Sequence, residues 1–401
     1  MHSPMPTAVR RPQSLRLGLA DSVDPRELQT GSGASASLLA ALREVVSEVV
    51  PLSGVLPQTL GRATHLASVA GRLRPSDLRD PRGGARRVHG AAKLGRPTVA
   101  VRTAMMRRDL ARAGALDAVV QRASDMELPP GAPIVSFEDS TVLQAWRSYP
   151  WPHLRGFTDR DVERYAARQR RIYRAAVACC CATHWVQRSV VADYGIEPSK
   201  VHTVGMGRNH EVPAPEGRDW STPHFLFVGV DWERKNGAAV LDAFATLRER
   251  VPEATLDVVG GHPPIEQAGV RAHGHLSLVD EHHRSLLAEL YARATAFVMP
   301  SLHEPAGIVY VEAGGAGIAS IGTTDGGAAT MIGPGGLIVD PRSREQILAA
   351  MLELAEPRRA RELGALAQAH SQLLSWRKVA ERVVRATALP GLDTSGLAEF
   401  L

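Results

Sequence analysis

Two glutamates, Glu304 and Glu312, stand eight positions apart in the stretch HEPAGIVYVEAGGAG, which otherwise holds mostly small and apolar residues. Pro305 suits the first turn of a helix, where its missing N–H costs nothing, so we expect a helix over this stretch. Eight helical residues rise about 12 Å, and the two carboxylates therefore cannot share one atom or act as an adjacent acid/base pair. They are spaced to accept hydrogen bonds from hydroxyls at the two ends of an elongated ligand.

The start of this predicted helix is suited to a diphosphate. The backbone N–H groups of Gly307, Ile308 and Val309 have no partners within a helix that begins here, and they carry the positive end of its dipole. A diphosphate would bind there without any side chain. The predicted ligand is therefore long, with hydroxyls at both ends and phosphates between them.

Arg234 and Lys235 form a second candidate for phosphate binding. They lie in VDWERKNG, directly after the apolar run HFLFVG, where a predicted strand leads into a predicted helix. A cationic pair at the carboxyl end of a strand is well placed to bind a phosphate. The alternative is an ordinary exposed turn. Lysine occurs only at positions 93, 200, 235 and 378, which favours a particular role for Lys235.

The composition is that of a soluble globular protein with two domains. A chain of 401 residues exceeds one ordinary core, and its hydrophobic and charged contents are 44% and 22%. No apolar run reaches the length of a membrane span, and the N-terminus lacks the apolar core of a signal peptide, which predicts a cytoplasmic protein. Cys179, Cys180 and Cys181 are adjacent, so they indicate a buried strand rather than a metal site.

The net charge is +5, and arginines crowd the N-terminal half. They either form a solvated surface or bind an acidic lipid surface or a phosphorylated substrate, and these alternatives stay open. Binding to acidic lipid would attach the N-terminal domain peripherally to the inner face of a membrane. Aromatic residues make up only 5% of the chain and none alternates with these arginines, so nucleic acid is not predicted as a partner.

Apolar strands alternate with helical segments along the chain, which predicts an α/β architecture with parallel sheets covered on both faces. The alternation breaks at residues 207–222, which we predict to be a linker. We therefore expect Rossmann-like domains at 1–206 and 223–375, and a C-terminal helix within 376–401 that crosses back to the first domain. The two domains would face a central cleft, with ligands bound beyond the carboxyl ends of the strands.

Two N-terminal stretches are weaker candidates for ligand binding. The first is GSGASAS, in which the amides of Gly31, Ser32 and Gly33 would face an acceptor or a phosphate, or would simply form a turn. The second is SFEDS, in which Glu138 and Asp139 follow a predicted strand. We predict that both stretches lie at the carboxyl edge of the first sheet.

The C-terminal half resembles the retaining glycosyltransferases of family 4, which have the two-domain GT-B fold. EPAGIVYVE is similar to the E-x7-E signature of that family, and FLFVGVDWERKNG is similar to its strand, basic loop and KG segment. PSLHEPAGIVYVEAGGAGIASIGTTDGG and GGLIVDPRSREQILAAM resemble the runs that follow, so the similarity covers most of residues 223–357. The N-terminal half matches only in layout, and the resemblance makes it the acceptor-binding domain.

The resemblance implies a role for each residue of these motifs. Glu304 would bind hydroxyls of the donor sugar near the reacting carbon, and Glu312 would bind the donor ribose. Lys235 would neutralise the leaving diphosphate, with Arg234 beside it. The implied catalytic residues are Lys235, Arg234 and Glu304, and the implied donor-binding residues are Gly229, Lys235, Glu304, Ala306, Gly307, Ile308, Val309 and Glu312.

The chain departs from the family pattern at several positions. The usual arginine after the glycine of the first strand is Val230 here, and the usual aromatic of the EPFG motif is Ala306. No acid follows Gly327 in the next loop. Where the family has a histidine in the N-terminal half, this chain offers Glu138 and Asp139. These departures leave open which sugar is bound and how active the protein is.

The resemblance implies a hexosyltransferase that moves a sugar from a nucleotide-diphosphate donor to an acceptor hydroxyl, with no cofactor and no essential metal. Polysaccharide, lipid-linked and small-molecule acceptors all stay open, as do the sugar, the base and the oligomeric state. Two alternatives remain. One is a GT-B-like epimerase or phosphorylase, and the other is an inactive partner that binds a nucleotide sugar.

Overall fold

The computed structural model describes residues 15–27, 33–72, 88–92, 94–122, 124–148, 154, 156–210, 212, 214–390 and 392. The chain divides into two compact units, one formed by residues 1–204 and 376–401 and the other by residues 205–375. Each unit contains one sheet of six strands. Within the described ranges, no helix combines the length and the apolar character that crossing a membrane requires.

The first unit has a parallel sheet in the order β2-β1-β3-β4-β5-β6. Most of its strands are apolar and buried, as is typical of parallel sheets covered on both faces. The strand order reverses between β1 and β3, so the carboxyl ends of these two strands mark the expected ligand position. The strands are β1 (Arg16–Asp21), β2 (Glu48–Ser53), β3 (Ala118–Arg122), β4 (Ile134–Glu138), β5 (Ala178–Cys181) and β6 (Val201–Thr203).

Helices connect these strands, and the last helix of the chain also belongs to this unit. That last helix packs against the first one, and the Arg382 Nη1 group donates to the Val204 carbonyl at 2.9 Å. The helices are α1 (Ala34–Val45), α2 (Gln58–Ala70), α3 (Arg96–Ala113), α4 (Val142–Ser148), α5 (Asp159–Ala175), α6 (His184–Ala192) and, from the C-terminus, α13 (Trp376–Ala386).

The second unit has a parallel sheet in the order β12-β11-β10-β7-β8-β9. Read from β9 to β12 and numbered within the unit, this is the doubly wound order 3-2-1-4-5-6, which reverses between β7 and β10. The strands are β7 (His224–Gly229), β8 (Thr255–Gly260), β9 (Val270–Gly274), β10 (Ala296–Val298), β11 (Ala319–Thr323) and β12 (Gly336–Val339).

The helices of the second unit alternate with these strands. Residues 205–222, most of which we expected to form a linker, group with this unit, and Arg218 donates to the carbonyls of Ala294 and Ala316. The helices are α7 (Gly237–Arg250), α8 (Glu281–Arg293), α9 (Ile308–Gly315), α10 (Ala328–Ile332), α11 (Arg344–Ala355) and α12 (Pro357–Ser371).

The sequence pattern places two strands of the first sheet wrongly. It predicts a weak strand at 54–57 and a mostly helical segment from about 60 to 130, whereas β2 covers Glu48–Ser53 and β3 covers Ala118–Arg122. Pro51 argues against a strand at β2, but β2 is an edge strand, where proline is tolerated. The pattern misses β3 because its apolar run is only three residues long and follows an arginine-rich helix.

Candidate active site

The loops that follow β7 and β10 meet at the point where the second sheet reverses its strand order. The Leu302 N–H donates to the Arg234 carbonyl at 2.8 Å, and the Asn236 amide donates to the Pro300 carbonyl at 3.1 Å. The Arg234 Nη1 group donates to the His303 carbonyl at 3.0 Å. These bonds fix the basic loop against the loop that carries Glu304, at the edge where parallel sheets bind ligands.

Lys235 and Glu304 form a buried ion pair at this junction. The Lys235 ammonium donates to the Glu304 carboxylate, and the two residues are 8% and 5% exposed. The Arg234 Nη1 atom lies 3.5 Å from the same carboxylate oxygen, and the Ser301 hydroxyl donates to that oxygen at 3.2 Å. The structure thus brings together all three residues that we predict to be catalytic.

The cluster of Arg234, Lys235 and Glu304 contains two cations and one buried carboxylate, and a second carboxylate, that of Asp231, lies 3.6 Å from Arg234 Nε. Burial disfavours the Glu304 carboxylate, but the charges of Lys235 and Arg234 outweigh it and lower the pKa of that carboxyl. Burial lowers the pKa of Lys235. The Glu304 carboxylate raises that pKa and the Arg234 charge lowers it, and the net result is a lowered pKa. Lys235 and Arg234 therefore present two cationic donors at one junction, which suits a diphosphate.

Glycine at position 229 allows Lys235 to lie over the end of β7. A Cβ added at Gly229 would stand 2.8 Å from Cγ of Lys235, closer than real side chains approach. The family resemblance places Gly229 among the donor-binding residues. The structure gives it a steric role, because a larger residue would displace the lysine from Glu304.

The helix that follows Glu304 begins later than the sequence predicts. The pattern predicts Pro305 in its first turn, but α9 covers Ile308–Gly315, and its cap, Gly307, has a left-handed backbone with φ of 90°. Glu304 pairs with Gly326 in an isolated parallel bridge, which holds its backbone extended. The expected rise of about 12 Å between Glu304 and Glu312 is therefore wrong, because four of the intervening steps are not helical.

The predicted amides remain at the N-terminus of α9. Ile308 and Val309 are its first residues, and Gly307 is its cap, so their N–H groups point out of the helix start.

The two positions that depart from the family pattern differ in exposure. Ala306 is 5% exposed, whereas Val230, directly after β7, is 72% exposed. Ala306 has no aromatic ring and Val230 carries no charge, so neither side chain can do what the aromatic residue or the arginine of the family pattern would do at that position.

We expect Gly326→Ala to disrupt the position of Glu304. Gly326 has a φ of 125°, and a Cβ there would stand 2.0 Å from the Glu304 carbonyl oxygen. The neighbouring bonds, Glu304 N–H to the Asp325 carbonyl at 2.9 Å and Gly327 N–H to the Glu304 carbonyl at 2.8 Å, leave the backbone little room to move. Thermal unfolding should show a loss of about 3 kcal/mol or more.

The matched control is Gly274→Ala in the same unit. Gly274 has a φ of 65°, but no heavy atom lies within 4 Å of the position that a Cβ would take there, so this variant reports backbone strain alone, about 1–2 kcal/mol. Equal losses in the two variants would show that contact with Glu304 does not matter at Gly326.

Glu312 lies in α9 and is buried, with one side-chain partner. The Tyr291 hydroxyl donates to its Oε2 atom at 3.4 Å, and the Asn209 backbone contributes a further hydrogen bond. Burial raises the pKa of Glu312 to about 7, although both hydrogen bonds oppose this. Among the described residues, no cation balances this carboxyl as Lys235 balances Glu304, so Glu312 takes up a proton near neutral pH.

The buried Glu312 should make this unit less stable as the pH rises. The folded protein keeps the proton up to about pH 7, whereas the unfolded chain loses it near pH 4.5, so the stabilisation is complete below pH 4.5 and is lost as the pH rises to about 7. The free energy of unfolding should fall by about 3 kcal/mol across this window. Amide hydrogen exchange in β7 would measure the change.

Glu312→Gln should remove this part of the pH dependence, because glutamine does not titrate. Glu266→Gln, at an exposed position of the same unit, serves as the control and should leave the wild-type profile unchanged. A Glu312→Gln protein with the full wild-type pH profile would show that another group is responsible.

Three of the five predicted N-terminal candidates lie in the described residues. Gly33 caps α1 with a φ of 73°, whereas Gly31 and Ser32 lie outside the described residues. Glu138 ends β4 and is buried, and burial together with the neighbouring Asp139 charge raises its pKa well above the usual range. The side chain of Asp139 is 46% exposed, so of these two carboxyl groups Asp139 is the one that a solute can reach.

The structure also shows charged residues at this edge that the sequence reasoning missed. Asp21 ends β1 and Arg122 ends β3, with 3.6 Å between Arg122 Nε and Asp21 Oδ2. The Arg122 Nη2 atom lies 4.0 Å from Asp139 Oδ2, and its guanidinium lies over the Phe137 ring at 5.4 Å. A correct prediction of β3 would have placed Asp21, Arg122 and Asp139 at one edge of the sheet, since each of these three residues ends a strand or directly follows one.

Solved structures that resemble this chain establish its fold. Sucrose-phosphate synthase from Thermosynechococcus elongatus superposes with a TM-score of 0.62 at 16% identity, covering 91% of this chain and 96% of that chain. Such neighbours are glycosyltransferases of the GT-B type, so the predicted fold, α/β with two Rossmann-like parallel sheets, is confirmed. Residues 222–357 also match the family model "Glycosyl transferases group 1".

Curated relatives match only part of the chain. Alpha-maltose-1-phosphate synthase of Mycolicibacterium smegmatis is 27% identical over 250 residues, which are 54% of this chain and 64% of that protein. The GDP-mannose-dependent alpha-(1-6)-phosphatidylinositol monomannoside mannosyltransferase of the same organism is 34% identical over 164 residues, which are 36% of this chain and 41% of that protein. The chain thus spans less than two thirds of the length of these relatives.

Proposed function

We propose that this protein transfers a hexose from a nucleoside-diphosphate sugar to an acceptor hydroxyl, with retention of the anomeric configuration. The observation that carries the proposal is the buried pair of Lys235 and Glu304, with Arg234 beside it, at the switch point of the second sheet. Relatives that match part of the chain are named as a synthase and a sugar transferase, and the latter is named as dependent on GDP-mannose.

The leaving diphosphate gains negative charge as its bond to the sugar breaks. Lys235 and Arg234 supply two cations at one junction, and the first amides of α9 supply hydrogen-bond donors that need no rearrangement. Fixed charges and dipoles of this kind act mainly on the transition state, because they are already oriented before the reaction. We assign the stabilisation of the leaving group to these groups.

Glu304 is poorly suited to be a nucleophile. One of its oxygens already accepts bonds from Lys235 and Ser301, and a carboxylate neutralised in this way attacks a carbon weakly. Retention is therefore better explained by an acceptor that attacks on the face from which the phosphate leaves, with the phosphate taking the proton. Glu304 would hold Lys235 in place and bind a hydroxyl of the sugar.

We propose further that catalysis requires no metal ion and that the protein acts in the cytoplasm. Among the described residues, no group of three or more His, Cys, Asp or Glu side chains is placed to hold a metal ion. Any attachment to a membrane would be peripheral and would use the basic first unit. These points belong to the proposal, and turnover in the presence of excess EDTA tests the first of them.

A thermal-shift screen with nucleotide sugars would identify the donor, and the next experiment would measure nucleoside diphosphate release from that donor. Release that requires an acceptor, and that persists in EDTA, is the expected result. Conversion of the donor without any acceptor hydroxyl would instead indicate an epimerase or phosphorylase. Donor binding without turnover across a broad panel of acceptors would indicate an inactive nucleotide-sugar-binding protein.

A further inference from the structure

The first unit contains two adjoining cavities lined by arginines, which the donor site does not use. Their volumes are about 540 and 210 Å³, and the larger one lies within the range of pockets that bind small organic ligands. Both are bordered by the end of α2, the start of α3 and the first turns of α5. The residues common to both are Arg72, Arg96, Asp161 and Arg164.

The charge of these walls is strongly one-sided. Four guanidinium groups, from Arg72, Arg96, Arg164 and Arg168, stand against the single carboxylate of Asp161, which leaves a formal excess of three positive charges. Guanidinium groups bind phosphate oxygens with two parallel hydrogen bonds, more selectively than an ammonium does. The cavities are therefore suited to an anion with several oxygens.

Asp161 fixes two of the arginines in the wall. It accepts two bonds from Arg72, at 2.7 and 2.8 Å, and one from Arg164. It also forms a capping box with Thr158 at the start of α5, with the Thr158 N–H donating to its Oδ2 atom at 3.0 Å. The carboxylate therefore has no capacity left to pair with the other two arginines.

Arg96 and Arg168 retain donors that no described residue accepts. Arg96 is exposed at the start of α3 and has no hydrogen-bond or ion-pair partner in the described part of the chain. Arg168 stacks over Tyr165 at 4.4 Å and donates its Nε–H to the Ser124 carbonyl at 2.9 Å. Its Nη2 group is buried without a partner. A buried guanidinium nitrogen without an acceptor is costly unless a ligand supplies one.

The inner end of the smaller cavity lies near the carboxyl edge of the first sheet. Tyr165 lines it and donates its hydroxyl to Asp125 Oδ1 at 2.7 Å, and Arg168 binds Ser124. Ser124 and Asp125 lie in the loop after β3, and the Ser124 side chain also bonds Glu138 at the end of β4. A ligand in these cavities would thus reach the edge at which a substrate of this unit is expected.

We propose that these cavities bind the phosphomonoester of a phosphorylated acceptor, with Arg96 and Arg168 as the residues that select for the phosphate. This inference rests on the proposed transferase function, because it assigns the acceptor to the first unit. The phosphate would belong to a soluble sugar or polyol, or to the headgroup of a phospholipid, and the chemistry of recognition is the same for both.

The test is calorimetric binding of glucose 6-phosphate, glucose and inorganic phosphate to the full chain, together with sedimentation of phosphatidylinositol phosphate vesicles. We expect binding of the phosphorylated probes and not of glucose. Arg96→Gln and Arg168→Gln should each weaken that binding by at least about tenfold. Arg107→Gln, an exposed arginine on the same helix as Arg96 and outside the cavity linings, should leave it unchanged.

The effect of Arg96→Gln distinguishes the two sources of phosphate. Weaker binding of the soluble phosphate indicates a soluble acceptor, and weaker binding of the vesicle indicates a phospholipid headgroup. The inference is overturned if no phosphorylated probe binds, or if Arg107→Gln weakens binding as much as Arg96→Gln. Thermal unfolding shows whether the variants fold. Binding of nucleoside diphosphate at Lys235 is measured in the same proteins, so a failure of the arginine cavities is distinguished from a failure of the proposed transferase function.

Discussion

Lys235→Met is expected to lower turnover at least about hundredfold with the best donor. Methionine keeps most of the length and the apolar stem of the buried side chain but removes the ammonium that we propose to stabilise the leaving diphosphate. The loss should fall mainly on kcat, because the charge that Lys235 opposes is largest when the sugar–phosphate bond breaks. Steady-state kinetics with wild type and variant at equal donor saturation would measure it.

Two controls separate this catalytic effect from a loss of folding. Lys378→Met removes a lysine whose side chain is 54% exposed, and it should behave as wild type. Lys235→Arg keeps the charge but changes its position, and it should retain more activity than Lys235→Met. A folded Lys235→Met protein with turnover close to wild type would rule out the proposed role, and thermal unfolding in each variant establishes that it is folded.

The candidate site of the second unit could be predicted largely from the sequence. The loops after β7 and β10 directly follow strongly apolar strands and contain the charged residues themselves. Because carboxyl ends of parallel strands lie at one edge, Arg234, Lys235 and Glu304 could be placed in one region without knowing their contacts. What the pattern could not show is that Lys235 and Glu304 pair with each other, since that depends on packing between loops about seventy residues apart.

The first unit was less predictable for a physical reason. Its central strand β3 is short, and β2 contains a proline that only an edge position allows. Arg122 could therefore not be assigned to the same edge as Asp21. The helix start after Glu304 was also misplaced, because Pro305 is as compatible with a turn as with a first helical turn, and the bridge between Glu304 and Gly326 decides between them.

Burial of the Lys235–Glu304 pair is a poor way to stabilise a fold. Removing two charges from water costs about as much as their attraction returns, and apolar replacements of such pairs are often neutral or stabilising. The pair at this junction is therefore better explained by function. It holds an ionised carboxylate and two cations in fixed positions before a ligand arrives.

Glu304→Gln is expected to lower turnover at least about hundredfold while preserving or increasing the affinity for nucleoside diphosphate. The amide keeps the size of the side chain, but it no longer holds the Lys235 ammonium or accepts a sugar hydroxyl as strongly. Lys235 and Arg234 then lose the anion that competes with the diphosphate for them. Without the carboxylate that it pairs with, the buried Lys235 ammonium should also destabilise the free protein, by up to about 3–5 kcal/mol, and added nucleoside diphosphate should restore much of that loss.

Glu312→Gln provides the opposite case in the same segment. Glu312 has Tyr291 and the Asn209 backbone as partners and no cation among the described residues, so its replacement should weaken binding of the nucleotide more than it lowers kcat. Isothermal titration with nucleoside diphosphate and kinetics with the intact donor would be compared in both variants. If Glu304→Gln lost nucleotide affinity tenfold or more while keeping wild-type kcat, Glu304 would bind the nucleotide, and its proposed place beside the reacting sugar would be wrong.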